Sequence, residues 1–495
     1  MNLAHLIDDH AGDSIALFSR GRPTTYGELR EQVDSMRGGL AGLGIGRGDR
    51  VAIVCNNSRY FVVAYLAVLG LGAAAVPLNP TSPAPEIARE ITAVGAKAAI
   101  VDPVAASAWA VIAPACPSVE HVVATDGSVI EGAVGFDELL SHTSVPIVEV
   151  EPDTLAVLIF TSGTAGSPRA AMLTHGNLRS NIDQSRTAVV GVQSNDVVYG
   201  VLPLNHIFGL NVVLGLSLAR GATVVLVNRF DPATALDTIR ERGVTVVPGA
   251  PPMWIAWSQF EEAPADSFAS VRLALTGAAK MPEDAIRRLE QRFGLRLSEG
   301  YGLTEASPTV TSSAGLQIKP GSIGKVLDGI EVRLVDDQGD DVVSGDPGEI
   351  WVRGPNVFAG YFEDPEATAR ALTADGWLRT GDIAVTDGDG YLYLVDRAKD
   401  LIIVSGFNVY PAEVEEILAM HPGVDDVAVV GVPHPYSGEA VKAYVVQSPG
   451  AHLDEEQLIA HCTANLARYK CPSKILFVDE LPRGVAGKLL RRELR

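Results

Sequence analysis

Cysteine is scarce in this sequence: only 4 of 495 residues are cysteines, and no two of them form a C-x-x-C pair. A disulfide framework and a structural zinc site are therefore both excluded as organising features. The segment from Met1 to His10 also lacks the basic and then apolar pattern of a secretory signal. We expect the four cysteines to be free thiols in a reducing cytoplasm: Cys55, Cys116, Cys462 and Cys471.

Positively charged residues are also few: the sequence has 39 lysines and arginines against 60 aspartates and glutamates, which gives a net charge of -21. A chain this acidic does not suit nucleic acid or an anionic membrane as its main partner. Only one apolar run, Tyr60–Leu78, approaches the length of a membrane span, and Gly70, Gly72 and Pro77 interrupt it. The run predicts a buried helix followed by a short buried strand, and no stable membrane span.

Apolar residues, by contrast, are abundant at 47% of the chain, and up to about Ile323 they alternate between two patterns. Short β-branched segments predict buried strands, and the amphipathic segments between them predict helices. The clearest strands are Asp49–Val54, Ala98–Val101, Leu155–Phe160, Thr223–Val227 and Val271–Thr276, and the clearest helices are Thr25–Leu43 and Pro232–Arg242. This alternation is typical of an α/β fold with largely parallel sheets.

Two further patterns follow towards the C-terminus. Segments separated by turns rich in Asp and Gly predict a small antiparallel sheet: Glu331–Val335, Glu349–Val352 and Tyr391–Val395. From about Arg397, two helices and two strands predict a small α+β domain: Pro411–Met420, Val424–Val432, Val441–Val446 and Asp454–Leu466. We predict a large N-terminal domain, residues 1–395, and a small C-terminal domain, residues 396–495.

The strongest local signal is Thr161-Ser-Gly-Thr-Ala-Gly-Ser-Pro-Arg169, which directly follows the predicted strand ending at Phe160. Glycines let backbone N–H groups approach phosphate oxygens, hydroxyls add donors, and the single cation takes up negative charge. The segment lacks the GxxxxGK[ST] spacing of a Walker loop. Taken alone it favours polyphosphate binding, with a Ser- and Gly-rich surface turn as the alternative.

More motifs follow this loop in order along nearly the whole chain. They are Glu299-Gly-Tyr-Gly-Leu-Thr-Glu305, Thr380-Gly-Asp382, Asp396-Arg-Ala-Lys-Asp400 with Ser405-Gly-Phe-Asn-Val-Tyr-Pro411, and Pro482-Arg-Gly-Val-Ala-Gly-Lys488. Together with the loop they resemble the motifs of the acyl-adenylate-forming superfamily of AMP-binding enzymes, and most of all a fatty acyl-CoA synthetase. The resemblance implies ATP, Mg²⁺ and coenzyme A, and an AMP-forming acid–thiol ligase of fatty acid and lipid metabolism.

The resemblance also assigns roles to individual residues. Lys488 would bridge the substrate carboxylate and the α-phosphate, while Thr164 and Glu305 would hold Mg²⁺. The predicted catalytic set is Lys488, Thr164, Arg169, His206 and Glu305. The predicted nucleotide-binding set is Thr161, Ser162, Gly163, Thr164, Gly166, Gly277, Ala278, Glu299, Gly300, Tyr301, Thr304, Asp382, Arg397 and Lys488. Within it, the ring of Tyr301 would stack on the base, and Asp382 would accept both ribose hydroxyls.

The remaining assignments concern the acyl group, the thiol and the moving domain. The predicted acyl pocket is His206, Gly249, Trp254, Gly277 and Ala279, and the apolar segment around Trp254 suits an apolar acid. Lys399 is the predicted hinge about which the C-terminal domain rotates after adenylation. That rotation would withdraw Lys488 and bring a face for coenzyme A to the site: Ser405, Gly406 and Phe407.

Three positions depart from the family pattern. Arg169-Ala170 stands where Lys-Gly is usual; arginine keeps the charge and can pair bidentately with phosphate, but it is bulkier. Ala165 removes one hydroxyl donor, and Asn205 replaces a common aromatic residue before His206. Adenylation is still expected, at a rate that these changes alter.

Several alternatives stay open. A medium- or long-chain fatty acid is the first choice of substrate, and an aryl acid is the second. A carrier protein could replace coenzyme A as acceptor, although no insertion between Tyr391 and Val414 would impede the rotation. An amino acid is disfavoured, because no acidic residue stands near His206 before Asp231. A non-catalytic nucleotide-binding homologue is supported only by Arg169 and Ala165, and the assembly state is open, with a homodimer among the options.

Overall fold

The computed structural model describes residues 1–127, 129–161, 169–186, 191–397, 402–404, 407–409, 411–434, 438–466, 468–483 and 489–494. The chain divides into two compact units. The first unit comprises residues 1–318, 326–331 and 352–378, and the second comprises residues 319–325, 332–351 and 379–495. These units are defined by compactness. The predicted domain boundary between residues 395 and 396 stays a prediction.

The strands account for the sheets of both units and are numbered in chain order. Up to residue 312 they are β1 (Ile15–Ser19), β2 (Arg22–Thr25), β3 (Arg50–Val54), β4 (Ala74–Pro77), β5 (Ala98–Val101), β6 (His121–Ala124), β7 (Val134–Gly135), β8 (Leu155–Thr161), β9 (Arg169–Thr174), β10 (Val197–Gly200), β11 (Thr223–Leu226), β12 (Val246–Gly249), β13 (Leu273–Thr276), β14 (Leu297–Gly302) and β15 (Thr309–Ser312). The later strands are β16 (Lys325–Val326), β17 (Glu331–Val335), β18 (Gly348–Arg353), β19 (Leu378–Thr386), β20 (Leu392–Arg397), β21 (Ile402–Val404), β22 (Phe407–Val409), β23 (Val424–His434), β24 (Gly438–Gln447) and β25 (Lys474–Phe477).

The helices are α1 (Tyr26–Gly42), α2 (Arg59–Gly70), α3 (Ala84–Val94), α4 (Pro103–Ile112), α5 (Phe136–Leu139), α6 (His175–Arg186), α7 (Leu216–Arg220), α8 (Pro232–Arg242), α9 (Pro251–Gln259), α10 (Glu283–Phe293), α11 (Pro365–Ala371), α12 (Pro411–Ala419) and α13 (Glu455–Asn465). A π-helical segment, Phe208–Gly215, leads into α7. None of the helices in the described ranges combines the length and the apolar character needed to cross a membrane.

Two sheets organise the first unit. Strands β3 to β9 form one in the order β7-β6-β5-β3-β4-β8-β9, parallel except that β9 runs antiparallel to β8. The other has the order β16-β15-β14-β13-β12-β10-β11-β1-β2 and is parallel from β14 to β1. The mostly parallel α/β architecture predicted for this part of the chain is confirmed.

The first two strands join the second sheet, although seven strands of the first sheet separate them from it in sequence. Strand β1 pairs in parallel with β11, and Thr223 Oγ1 donates to the carbonyl of Ile15 at 2.7 Å. Strand β2 turns back on β1 as an antiparallel hairpin at the sheet edge. Nothing in the local sequence indicates which sheet these strands enter.

The apolar run Tyr60–Leu78 forms a buried helix, α2, and then a buried strand, β4, as predicted. Ser58 Oγ accepts a hydrogen bond from the Phe61 N–H and caps the helix, which satisfies one of its free donors. Every residue of α2 after Arg59 is buried, so the helix lies inside the unit and needs no polar face.

The second unit contains two smaller sheets. One has the order β17-β18-β19-β20, with β19 antiparallel to β20, as the Asp- and Gly-rich turns predicted. The other has the order β22-β21-β24-β23, and β25 pairs with β24. Alternate residues of its strands pack with α12 and α13 around a small apolar core that includes Val429, Val445 and Leu458. The predicted small α+β region is confirmed.

Asn57 joins the two large sheets. Its side chain is 8% exposed and follows β3, yet its Nδ2 donates to the carbonyls of Gly200, Leu202 and Val227 at 2.9 to 3.1 Å. Its Oδ1 accepts the N–H of Leu204 at 2.9 Å. This one amide therefore bonds to main-chain groups at and just beyond the carboxyl ends of β10 and β11, and it fixes the loop that leads to His206.

Replacing Asn57 with alanine should destabilise the first unit, because it leaves several buried main-chain groups without partners. We expect N57A to lower the free energy of unfolding by about 3 kcal/mol or more. Asn79→Ala is a matched control, since Asn79 Oδ1 accepts only local bonds from Thr81, and it should cost less than about 1 kcal/mol. Urea unfolding of both variants measures the difference, and equal losses would contradict the role of Asn57.

Candidate active site

Strands β8 and β9 bring the two ends of the predicted phosphate loop together. Thr161 ends β8 opposite Arg169, which begins β9, and Thr161 Oγ1 donates to the Arg169 carbonyl at 3.4 Å. Residues 162–168 lie outside the described part of the chain. The assignments of four loop residues therefore stay predictions: Ser162, Gly163, Thr164 and Gly166.

Arg169 is partly buried and contacts two residues that the motifs did not include. Its Nε donates to Asp364 Oδ2 at 2.9 Å, and its guanidinium lies 5.9 Å from the ring centroid of Tyr361. The N–H of Ala367 and the Arg169 guanidinium together hold the pKa of Asp364 below its usual range. Arg169, the cation at the end of the loop, is thus held by the carboxylate of Asp364 in the same unit.

Glu305 lies in a short 3₁₀ turn, Thr304–Ala306, just after β14. Its Oε1 accepts a hydrogen bond from the Tyr361 hydroxyl at 2.7 Å, and its carbonyl accepts the N–H of Phe358 at 2.8 Å. Burial and the Glu305 carboxylate raise the pKa of Tyr361 well above its ordinary value, so the phenol stays protonated and donates. Tyr361 therefore has Glu305 at its hydroxyl and Arg169 near its ring.

In the described ranges, no three His, Cys, Asp or Glu side chains are grouped so that they could hold a metal ion. A single carboxylate such as Glu305 nevertheless fits Mg²⁺, which keeps several waters and usually takes only one or two protein carboxylates alongside substrate phosphates. The predicted pairing of Glu305 with Thr164 stays a prediction, because Thr164 is outside the described residues.

The carboxyl ends of β12, β13 and β14 gather a second group of predicted residues. Gly249, Thr276 and Glu299 lie side by side in register. Gly277 follows directly, and a Cβ on it would come within 3.3 Å of the Gly300 carbonyl and 3.5 Å of the Phe208 ring, so space for a side chain is limited there. Ala278 has the left-handed φ of 72°, which turns the exposed residues Ala278 and Ala279 away from the sheet.

Three more residues of the predicted set lie on or after β14. Gly300 and Tyr301 pair with Ser312 and Thr311 of β15, and Tyr301 is 8% exposed. Thr304 begins the turn that carries Glu305. One continuous segment, residues 297–306, thus connects the group at the sheet ends with the group around Tyr361.

Asp382, the predicted ribose acceptor, lies in the second unit on β19 and is 7% exposed. It follows Gly381, whose φ of 70° is left-handed, and its own N–H donates to Thr380 Oγ1 at 3.1 Å. The Thr380 hydroxyl in turn donates to the Ile350 carbonyl at 2.8 Å. Arg397 lies directly across from Asp382 in the β19–β20 pair, and its side chain is outside the described residues, so its assignment stays a prediction.

Glu349 holds this turn in place. Its Oε1 accepts the N–H of Gly381 at 2.9 Å, and its Oε2 accepts the indole N–H of Trp351 at 3.0 Å. Both carboxylate oxygens are therefore used within the second unit, and the backbone before Asp382 is fixed on both sides.

His206 and Trp254, both assigned to the acyl pocket, occupy different surroundings. His206 is exposed, and its Nδ1 accepts the N–H of Phe208 at 3.2 Å. Trp254 is fully buried, donates its indole N–H to the Leu275 carbonyl at 3.2 Å and packs against Trp257. A Cβ on Gly249 would meet this indole at 2.7 Å. Trp254 thus belongs to the core beneath Gly249 in this structure, which corrects the expectation of a pocket wall.

The C-terminal assignments fall largely outside the described residues. They are Lys399, Ser405, Gly406 and Lys488. Phe407 lies on β22, and its side chain is not among those described. The hinge, coenzyme A and catalytic-lysine assignments stay predictions from the family resemblance.

Sequence reasoning missed Tyr361, Asp364, Glu349 and Asn57. Tyr361 and Asp364 meet Arg169 from almost two hundred positions away in sequence, with a separation of 195 for Asp364. The only local signal was the cap pattern Asp364-Pro365 at the start of α11. These residues act through long-range contacts, which a single sequence does not reveal.

Comparisons with known proteins show which family and fold the chain resembles. Residues 6–362 match the family model described as AMP-binding enzyme, and residues 413–488 match AMP-binding enzyme C-terminal domain. A long-chain-fatty-acid–CoA ligase of Yersinia pestis is 37% identical over an alignment 518 residues long. The alignment covers 98% of this chain and 91% of that protein. A feruloyl-CoA synthase of an Amycolatopsis species is 38% identical over 477 residues, covering 96% and 94%. ATP-bound MatB from Rhodopseudomonas palustris has a similar structure, with a TM-score of 0.91 at 33% identity over 100% of this chain and 98% of that one.

Glu299 gives the site a testable dependence on pH. Burial raises its pKa to about 7 from 4.5, against the opposing effect of Lys280. The folded protein then binds this proton more tightly than the unfolded chain, so the carboxyl costs stability as pH rises from about 4.5 to 7. Glu299→Gln should therefore gain stability relative to the parent between pH 5 and pH 8, by up to about 3 kcal/mol.

Thermal unfolding midpoints at pH 5, 6, 7 and 8 test this expectation. Glu90→Gln is the matched control, because Glu90 on α3 is also 8% exposed and burial likewise raises its pKa to about 7. Both variants should show the same trend in stability. A difference between E299Q and the parent that does not change with pH would contradict the assignment.

Proposed function

The chain belongs to the AMP-binding enzyme family, and we propose that it is an ATP-dependent ligase that joins a carboxylic acid to coenzyme A and forms AMP. The observation that supports this most is that a cation, Arg169, lies near the ring of Tyr361 and a carboxylate, Glu305, accepts the hydrogen bond of its hydroxyl. A polyphosphate with its divalent cation needs both charges close together.

In the proposed reaction, a carboxylate oxygen of the acid attacks the α-phosphorus of ATP, and the bond to the β-phosphate oxygen breaks. The products are an acyl-adenylate and pyrophosphate. The thiolate of coenzyme A then attacks the acyl carbonyl, and AMP leaves with the electron pair of the broken mixed anhydride. Mg²⁺ would neutralise charge on the phosphates when it is bound.

The assigned residues, of which Lys399 and Lys488 lie outside the described ranges, take distinct parts in this proposal. Arg169 and Glu305 bind the polyphosphate end, with Glu305 as the protein ligand for Mg²⁺. The segment from Gly277 to Ala279 and the β14 end hold the base and the acyl carboxylate. Asp382 binds the ribose hydroxyls. Lys488 supplies the cation for adenylation, and rotation about Lys399 exchanges it for the coenzyme A face.

Two classes of acid remain under this proposal. A medium- or long-chain fatty acid is the first and an aryl acid the second. The two relatives described above support them about equally, because their names refer to a fatty acid and to a feruloyl group and their identities are 37% and 38%. A cytoplasmic location belongs to the same proposal, since all four cysteines are free.

The direct test supplies purified protein with ATP, Mg²⁺ and a panel of fatty, aryl, dicarboxylic and amino acids. Pyrophosphate, AMP and acyl-CoA are measured with and without coenzyme A. We expect acyl-CoA from one class of acid. Pyrophosphate without acyl-CoA would favour a carrier-protein acceptor, and no turnover with any acid would favour a non-catalytic homologue.

Lys488→Ala sharpens this test, because the two half-reactions separate. The variant should lose pyrophosphate formation by about a hundredfold or more, since a cation that stabilises the transition state is removed. It should still convert a supplied acyl-adenylate and coenzyme A into acyl-CoA. Lys474→Ala, which removes an exposed lysine paired with Glu455, is the control and should leave both half-reactions unchanged. Equal loss of both half-reactions in K488A would contradict the assigned role.

The ribose assignment has its own test, which uses Glu349. Glu349→Ala frees the Gly381 N–H and should let the Asp382 turn move, so the KM for ATP should rise about tenfold. The preference for ATP over 2′-deoxy-ATP should fall, and Asp382→Ala should abolish it. Asp341→Ala, which removes an exposed carboxylate paired with Arg333 in the same unit, is the control. An unchanged preference in E349A would show that the turn does not depend on this carboxylate.

A further inference from the structure

Arg169 is the residue at which this chain departs from the lysine usual in its family, and the structure shows what an arginine allows. A guanidinium carries five N–H donors in a rigid plane, and the bond to Asp364 uses the one on Nε. The Nη groups at the far end of the plane remain a two-pronged donor of the kind that pairs with phosphate. A lysine has a methylene group at the position of Nε, so it cannot form this bond while its ammonium contacts phosphate.

Asp364 cannot move freely with Arg169, because the same side chain caps α11. Asp364 Oδ1 accepts the N–H of Ala367 at 2.9 Å, and its carbonyl accepts the Thr368 hydroxyl at 2.9 Å. The Thr368 hydroxyl also accepts the N–H of Tyr361 at 2.9 Å. The carboxylate is thus fixed by the start of the helix and by the segment beside β9, so the direction of its second oxygen is fixed as well.

The position of the guanidinium is restricted on a second side. Tyr361 presents its ring to Arg169, with 5.9 Å between the guanidinium carbon and the ring centroid, and donates its hydroxyl to Glu305 at 2.7 Å. The arginine is therefore held at its Nε edge by Asp364, and its guanidinium lies within cation–π range of the Tyr361 ring. Both contacts lie in the first unit and are between described residues.

We propose that Asp364 is a positioning residue that orients Arg169, so that its Nη groups point towards the triphosphate of ATP. The inference rests on the proposed function, in which Arg169 binds the polyphosphate. Asp364 itself does not touch the nucleotide. The Asp364 carboxylate weakens the attraction between Arg169 and phosphate, because it neutralises part of the positive charge. It also fixes the orientation of the guanidinium before ATP binds, which lowers the entropic cost of binding.

A cycle of four proteins tests the proposal: the parent, D364N, R169K and the double variant R169K/D364N. Asparagine caps helices about as well as aspartate, so D364N keeps the bond to Ala367 and removes the charge and the ion pair. Removing the negative charge of Asp364 should favour ATP binding equally whether residue 169 is arginine or lysine. Any difference between the backgrounds therefore measures the orientation of Arg169.

We expect D364N to raise the KM for ATP about three- to tenfold when residue 169 is arginine, with a much smaller change in kcat. With lysine at residue 169, the same substitution should change KM by less than about twofold, because there is no Nε bond to lose. Equal effects in the two backgrounds, or a lower KM in both, would overturn the proposal. Thermal unfolding midpoints verify that all four proteins are folded.

A control variant and a direct measurement of ATP binding test the role of Asp364 independently of the proposed overall reaction. Glu366→Gln alters another carboxylate of α11, 87% exposed and 3.8 Å from Arg370, and should leave the KM for ATP unchanged. The Kd of ATP with Mg²⁺, measured by calorimetry, should follow the same pattern across the cycle even if no tested acid is turned over. Failure to bind ATP at all would overturn both proposals, whereas normal turnover without the background difference would overturn only this one.

Discussion

Strand β9 is hydrogen-bonded along both of its edges, and the charged residues of the proposed phosphate site depend on those bonds. On one edge it pairs with β8. On the other, the N–H of Met172 donates to Gly360, and the N–H groups of Ala359 and Phe362 donate back to β9. Main-chain ladders fix the separation of neighbouring chains at about 4.8 Å. The distances between Arg169, Tyr361 and Glu305 therefore follow from the backbone, and their side-chain bonds only refine them.

Three polar side chains outside the sequence motifs give the site its form by bonding to main-chain groups. Asn57 follows one large sheet and bonds to backbone groups of the other, Asp364 caps a helix, and Glu349 holds the turn before Asp382. A buried backbone group without a partner costs about 1 to 3 kcal/mol, so each of these side chains stabilises one particular loop conformation. The motif residues are placed by neighbours that themselves contact no substrate in the proposed reaction.

The sequence was sufficient for most of the fold, because apolar periodicity is a local property. Helix α8 and strands β5 and β17 have the predicted bounds, and the predicted strand and helix in Tyr60–Leu78 are both present. The sheet that β1 enters could not be predicted, since its partner β11 is about two hundred residues away. Trp254 failed for a different reason: an apolar residue after a strand suits the core and a pocket equally well.

The pairing of β1 with β11 also determines the order in which the chain can fold during synthesis. Ile15 contacts Thr223 across 208 positions, and a ribosome that adds about 5 to 20 residues per second needs about 10 to 40 seconds to make that stretch. The seven-stranded sheet lies wholly within the interval and can form in that time. Until β11 has been synthesised, the edge of β1 that pairs with it has no partner. Leu17 of β1 is fully buried in the folded protein. An unpaired apolar edge is where nascent chains associate, so the first strand made is the one that most needs protection.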